Sequence, residues 1–110
     1  MNTDTISIDD FFRVVLVAGR IDAAEAVPDS KKLLKLTVHI GSEDRQIIAG
    51  IAPHAEPEGL IGRGCVIVAN LEPKVLAGLE SQGMLLAGVA EDGSFDLVHC
   101  PGVSPGTRVR

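Results

Sequence analysis

The sequence predicts an all-β protein: a small Greek-key barrel of five to six strands with short helical segments. Three observations carry this. Leu34, Leu36, Val38 and Ile40 alternate with Lys35, Thr37 and His39, the period of two that marks a half-buried strand. Short apolar runs are separated by polar turns such as Gly41-Ser42-Glu43-Asp44 and Glu91-Asp92-Gly93. No helical periodicity extends beyond one or two turns. A two-sheet sandwich is the alternative arrangement of the same strands.

Taken in order, Ile6 to Arg13 reads as a short helix. Ser7 caps its start, and Asp9 and Asp10 suit the positive end of its dipole. Arg13 to Val27 reads as one long strand, bent near Gly19 by a bulge. Pro28-Asp29-Ser30 ends it. The alternating strand follows, and Arg45 to Ile51 is the next one. Pro53 to Gly64 is a loop with room for one helical turn, because Pro57, Gly59, Gly62 and Gly64 prevent more. Cys65 to Leu71 is apolar until Asn70, a strand covered on both faces. Pro73 to Leu79 reads as a second short helix or turn. Met84 to Val89 is a strand, and Phe95 to His99 the last one. Pro101 to Arg110 has no period and reads as a tail fixed by packing.

Composition bounds the function. A chain of 110 residues is a single domain, residues 1–110, with no room for separate nucleotide and substrate domains. Ten bases against fifteen acids give a formal charge of −5, which excludes indiscriminate charge-driven binding of nucleic acid. Phe11, Phe12 and Phe95 are the only aromatic residues besides histidine, so no long base-stacking platform can be built. No apolar run approaches the ~20 residues that cross a bilayer. Met1 to Asp10 carries three acids and no base, unlike a signal peptide. Cys65 and Cys100 lack a CxxC spacing, which points to reduced thiols and a cytoplasmic location.

Motifs for catalysis are absent. Gly78 and Gly83 have a phosphate-loop separation, but Met84 stands where Lys is needed. Gly62-Arg63-Gly64 lacks the third glycine of a dinucleotide fingerprint. Ser81 lies in Glu80-Ser81-Gln82-Gly83, which is not a nucleophile elbow. The three histidines and two cysteines have no familiar metal spacing. The expectation is a protein that is not an enzyme, with no metal and no cofactor.

One charge pattern departs from the acidic whole. Lys31 to Arg45 holds four bases against two acids. Those bases either meet phosphates, with Arg45 offering a fork of donors, or belong to an ordinary solvated strand face. Asn70 either bonds a base edge or sugar, or caps the following turn. Ser81 caps a turn or joins Asn70 in a site. Met84 is core or an apolar contact surface.

Several blocks occur in a fixed order: Leu33-Leu34-Lys35-Leu36-Thr37-Val38, Arg45-Gln46-Ile47-Ile48-Ala49-Gly50-Ile51-Ala52, Val68-Ala69-Asn70-Leu71-Glu72-Pro73-Lys74, Leu76-Ala77-Gly78, and Ser81-Gln82-Gly83-Met84-Leu85-Leu86-Ala87. From about Ile6 to the end, the chain resembles the tRNA-binding domain appended to many methionyl-tRNA synthetases. Similar domains stand alone as tRNA-binding proteins, act as secretion-related CsaA chaperones, and occur in the endothelial monocyte-activating polypeptide precursor. The resemblance implies an OB-type barrel with N- and C-terminal extensions. It implies a homodimer, with Phe11, Phe12 and the tail residues Pro101, Val103, Pro105 and Val109 at the interface. It also implies tRNA held by shape and backbone, with Lys32, Lys35, Arg45 and Lys74 on phosphates. Asn70 and Ser81 would make polar contacts to sugar or base, and Met84 an apolar one.

This sequence departs from the family pattern at three places. Val15 and Val17 stand where an acid and a base are usual in the first strand. Pro53-His54-Ala55-Glu56-Pro57-Glu58 replaces a basic-aromatic segment. Val75 replaces a second base after Lys74. Each change removes charge or stacking surface, so weaker tRNA affinity is expected. Two other readings stand beside tRNA binding: a CsaA-like chaperone for unfolded peptides, and a dimerisation module without RNA affinity. The partners expected are tRNA, a second copy of the chain, and either a synthetase or an unfolded peptide, with no membrane.

Overall fold

A computed structural model describes residues 4–110; Met1 to Thr3 lie outside them. The chain opens with helix α1 (Ile8–Phe12), whose start is capped as the sequence predicts: the Ser7 hydroxyl accepts the Asp10 N–H at 3.0 Å. Strands β1 (Leu16–Ala26), β2 (Leu34–His39) and β3 (Asp44–Ala49) follow, then the single turn of α2 (Pro57–Leu60) and β4 (Gly64–Val68). Next come β5 (Lys74–Leu76), β6 (Leu79–Ser81), β7 (Met84–Leu85), β8 (Ala87–Val89), β9 (Phe95–Leu97) and β10 (Arg108–Val109).

The main sheet runs β3-β2-β1-β4-β7, every pair antiparallel, with β10 added beside the first residues of β1. It curls around a core of Ile21, Leu34, Leu36, Val38, Ile47, Leu60 and Ile67. The alternation in β2 puts Leu34, Leu36 and Val38 inside and leaves Lys35, Thr37 and His39 half-buried on the outer face. The run Cys65–Val68 is buried throughout, as a strand covered on both faces must be.

Four local expectations are corrected. The register shift in β1 falls between Ile21 and Ala23, not at Gly19. Gly19 pairs regularly with Cys65; it is a glycine because a Cβ there would stand 2.7 Å from Val38 Cγ1. Of the helix or turn expected over Pro73–Leu79, the helix does not form: Lys74 to Ser81 is a β-hairpin closed by a turn. Its two-residue turn, Ala77-Gly78, has both φ angles positive, at 52° and 78°, the twist that antiparallel strands favour. Met84 to Val89 is broken at Leu86: β7 joins β4, while β8 pairs with β9. The tail is not irregular throughout, because Arg108–Val109 adds a strand to β1.

The barrel closes through one main-chain bond and two side-chain bonds. Between β3 and the segment joining β6 to β7, the Gln82 N–H donates to the Gln46 carbonyl at 2.7 Å. The Gln82 side-chain oxygen accepts the Gln46 N–H at 2.9 Å, and Ser81 Oγ accepts the Ile48 N–H at 2.9 Å. Gly83 lets the chain pass here. Its φ is 146°, and a Cβ would stand 2.8 Å from the Val68 carbonyl.

Candidate nucleic-acid interface

Strand register builds one row of side chains across the outer face. Glu25 on β1 pairs with Lys35 on β2, and Lys35 with Ile48 on β3. The Ile48 N–H is held by Ser81, and Ser81 pairs with Lys74 on β5. Residues directly opposite each other share a face, so Lys35 shares one with Ile48 and Lys74 one with Ser81, and the Ser81 hydroxyl ties the two pairs together. Ile48 is buried outside the barrel core, beneath the β5–β6 hairpin. The hairpin arches over an open groove of about 480 Å³, lined by Ile48, Leu71, Glu72, Lys74, Leu76, Ser81, Gly83 and Met84. Three of the expected RNA-contacting residues, Lys74, Ser81 and Met84, therefore meet in one place. Lys35 joins them as the in-register neighbour of Ile48.

The expected residues differ in how free they are. Lys32 is exposed and carries no ion pair among the described residues; its carbonyl accepts the Ala52 N–H at 3.1 Å. Lys74 is exposed, also without an ion pair among the described residues, and Met84 is 49% exposed on the groove's edge. Lys35 Nζ lies 3.2 Å from Glu25 Oε1. Ser81 is buried, its hydroxyl donating to the Gly83 carbonyl while accepting from Ile48. Arg45 spans the barrel seam: Nη1 donates to the carbonyls of Ala69 and Gln82, both at 3.0 Å, and Nε donates to Glu43 Oε2 at 3.0 Å. Asn70 acts as a short extra strand pairing. Its Oδ1 accepts the Val15 N–H at 2.8 Å, and its Nδ2 donates to the Arg13 carbonyl at 2.7 Å.

Half of the basic charge is already matched. Arg13, Arg20, Lys35, Arg45 and Arg63 each pair with a carboxylate. Lys31, Lys32, Lys74, Arg108 and Arg110 carry no ion pair among the described residues. The sequence analysis did not single out Arg108 or Arg110, nor the pairing of Glu25 with Lys35. The last of these depends on register between strands ten residues apart, which no local motif reports.

The expected interface residues are partly assembled. α1 buries none of its residues. Phe11 and Phe12 are exposed, with ring centroids 5.8 Å apart, and Ile6, Ile8 and Val14 are exposed around them. Arg108 Nη2 donates to the carbonyls of Phe12 and Val14 at 3.3 and 3.4 Å, tying the tail to the end of α1. Val109 pairs with Leu16 and is half-buried, as is Pro105, while Pro101 and Val103 are exposed.

Asp22, His39 and Asp44 come together on the outer face with their ligating atoms within 4.8 Å of one another. Each of them already has a partner. Arg20 Nε bonds Asp22 at 2.7 Å, which holds that carboxyl below its usual range, and His39 Nδ1 lies 2.8 Å from Asp44. Elsewhere, burial pushes the Cys65 thiol up to about 11.

Comparison with known proteins settles the family. Residues 16–108 match the family model described as "Putative tRNA binding domain". The chain is a member of the tRNA-binding domain family. Within it, this member is 49% identical over 107 residues to the methionine–tRNA ligase of Thermotoga maritima, covering 96% of this chain and 17% of that enzyme. It thus spans about a sixth of the length of that relative. Among solved structures, it superposes on a MetRS-related protein from Pyrococcus horikoshii with a TM-score of 0.92 at 39% identity, covering 98% of this chain and 100% of that one. The CsaA chaperone of Bacillus anthracis gives 0.86 at 30% identity, covering 97% and 100%. The all-β, OB-like barrel expected of the family is the fold observed. Among the described residues, no helix is long and apolar enough to cross a membrane.

Proposed function

We propose that the chain is a non-catalytic tRNA-binding module of the methionyl-tRNA synthetase type, working as a homodimer and selecting tRNA by shape. The observation that supports this is Lys74 lining the groove and Lys35 paired in register with Ile48, which also lines it, with the exposed Lys32 on the loop leading into β2. Lys32 and Lys74 contact phosphates directly, and Lys35 does so once it leaves Glu25. Met84 offers an apolar surface to an unstacked base or ribose. Ser81, Arg45 and Asn70 act from behind: their polar atoms hold the seam and the chain entry, and so fix the spacing of the contacting groups.

The homodimer is supported by α1. A five-residue helix that buries nothing is far below the ~12–15 residues at which isolated helices become even marginal. Cover from a second copy over Phe11, Phe12, Ile8 and Val14 supplies the missing burial, with tail residues alongside. Light scattering should give twice the chain mass, and Phe12→Ser should shift it toward the monomer.

The function is tested with labelled tRNA titrated across a salt series, with double-stranded RNA of equal length as competitor. Saturable binding that prefers tRNA and weakens with salt supports the reading; equal displacement by both RNAs removes shape selection. A second reading, binding of unfolded peptides, is favoured by the exposed Leu71, Val75 and Met84 around the groove and by the likeness to the chaperone. It predicts suppression of client aggregation without tRNA affinity.

A further inference from the structure

We propose that Glu25 is a built-in competitor for the polyanion, holding the Lys35 ammonium away from the groove until a phosphate displaces it. This rests on the tRNA-binding reading for its biological ligand, but the geometry stands by itself. Lys35 lies in register between Glu25 on one side and Ile48, the groove floor, on the other. Its Nζ is drawn toward β1, 3.2 Å from the carboxylate. The Glu25 side chain is 66% exposed and that of Lys35 35%, so solvent screens the pair and it is weak enough to exchange.

The contrast with Arg45 and Glu43 sharpens the assignment. Arg45 is 22% exposed and also holds two main-chain carbonyls, so releasing Glu43 would leave it anchored. Among the described residues, Lys35 has only Glu25 as an ion-pair partner. When a phosphate takes Lys35, it releases its own counterion, but the freed Glu25 recruits a cation. The net ion release, and with it the salt dependence, is therefore smaller than the number of contacts implies. Glu25 thereby lowers affinity for polyanions without removing the contact.

The test is a double-mutant cycle of Glu25→Gln, Lys35→Gln and both together, each checked for an unchanged melting temperature. Two polyanions are used: labelled tRNA by anisotropy, and immobilised heparin by elution salt. Glu25→Gln is expected to bind tRNA roughly two- to fivefold more tightly, with a log–log salt slope steeper by up to about one. It should also elute from heparin at higher salt. All of these gains should vanish in the Lys35→Gln background. Gains that persist there reflect net charge and overturn the proposal, as does an unchanged slope and elution in Glu25→Gln. If the wild type ignores tRNA but the heparin cycle behaves as stated, the tRNA reading fails and the role of Glu25 stands.

Discussion

Ser81 Oγ accepts the N–H of Ile48 at 2.9 Å, a side-chain oxygen standing where a regular ladder would place a carbonyl. The bond is buried and joins β3 to the hairpin that roofs the groove. Ser81→Ala leaves the Ile48 N–H without an acceptor, which costs about 1–3 kcal/mol. Urea denaturation should show this loss, while the folded variant keeps tRNA affinity within a few-fold. Full stability with strongly weakened binding would make Ser81 a direct contact instead.

Arg45 joins three segments through one guanidinium: Glu43, the Ala69 carbonyl and the Gln82 carbonyl. Lysine keeps the charge but cannot fork. Arg45→Lys is expected to destabilise the barrel by about 2 kcal/mol, with a nearly unchanged salt slope for tRNA. Unaltered stability together with a reduced slope would place Arg45 on a phosphate.

Ala77 sits at φ 52°, where a Cβ is disfavoured by roughly 1–2 kcal/mol. Ala77→Gly relieves that strain, less the extra entropy glycine loses on folding. The expected gain is about 1 kcal/mol, read as a raised urea midpoint with an unchanged m-value. A lowered midpoint would contradict the turn geometry.

The Cys65 thiol is raised from an ordinary 9.0 to about 11 by burial. The folded state therefore keeps its proton where the unfolded chain loses it. The stability due to this group is fully present below pH 9 and is lost as pH rises toward 11, on the order of 2 kcal/mol in all. Cys65→Ala should flatten this part of the stability-against-pH curve. An identical alkaline decline in that variant would assign it to other groups.

The strands of the barrel were legible where the hydrophobic pattern reports burial directly, on one face or on both. In β2 the period of two reports burial directly, and in β4 the unbroken apolar run does the same. The hairpin at Ala77-Gly78 was not legible, because alanine is an unfavourable residue for a left-handed turn and gives no turn signal. Gly19 misled for a related reason: a glycine required by a close approach to Val38 looks the same in sequence as one required by a bulge. At the site, residue identity was informative and residue role was not. Lys74, Ser81 and Met84 do meet at the groove. That Ser81, Arg45 and Asn70 spend their polar atoms on main-chain groups depends on partners 24 to 57 residues away.

The central claim is that the exposed Lys32 and Lys74, which carry no ion pair among the described residues, hold the RNA, and the seam residues do not. It is tested most directly by the salt slope of tRNA binding in the Lys32→Ala/Lys74→Ala double variant. Both side chains are exposed, so stability should be unchanged. The account predicts weaker binding and a log–log slope shallower by about 1.5. A slope equal to that of the wild type would place the RNA on another face of the protein.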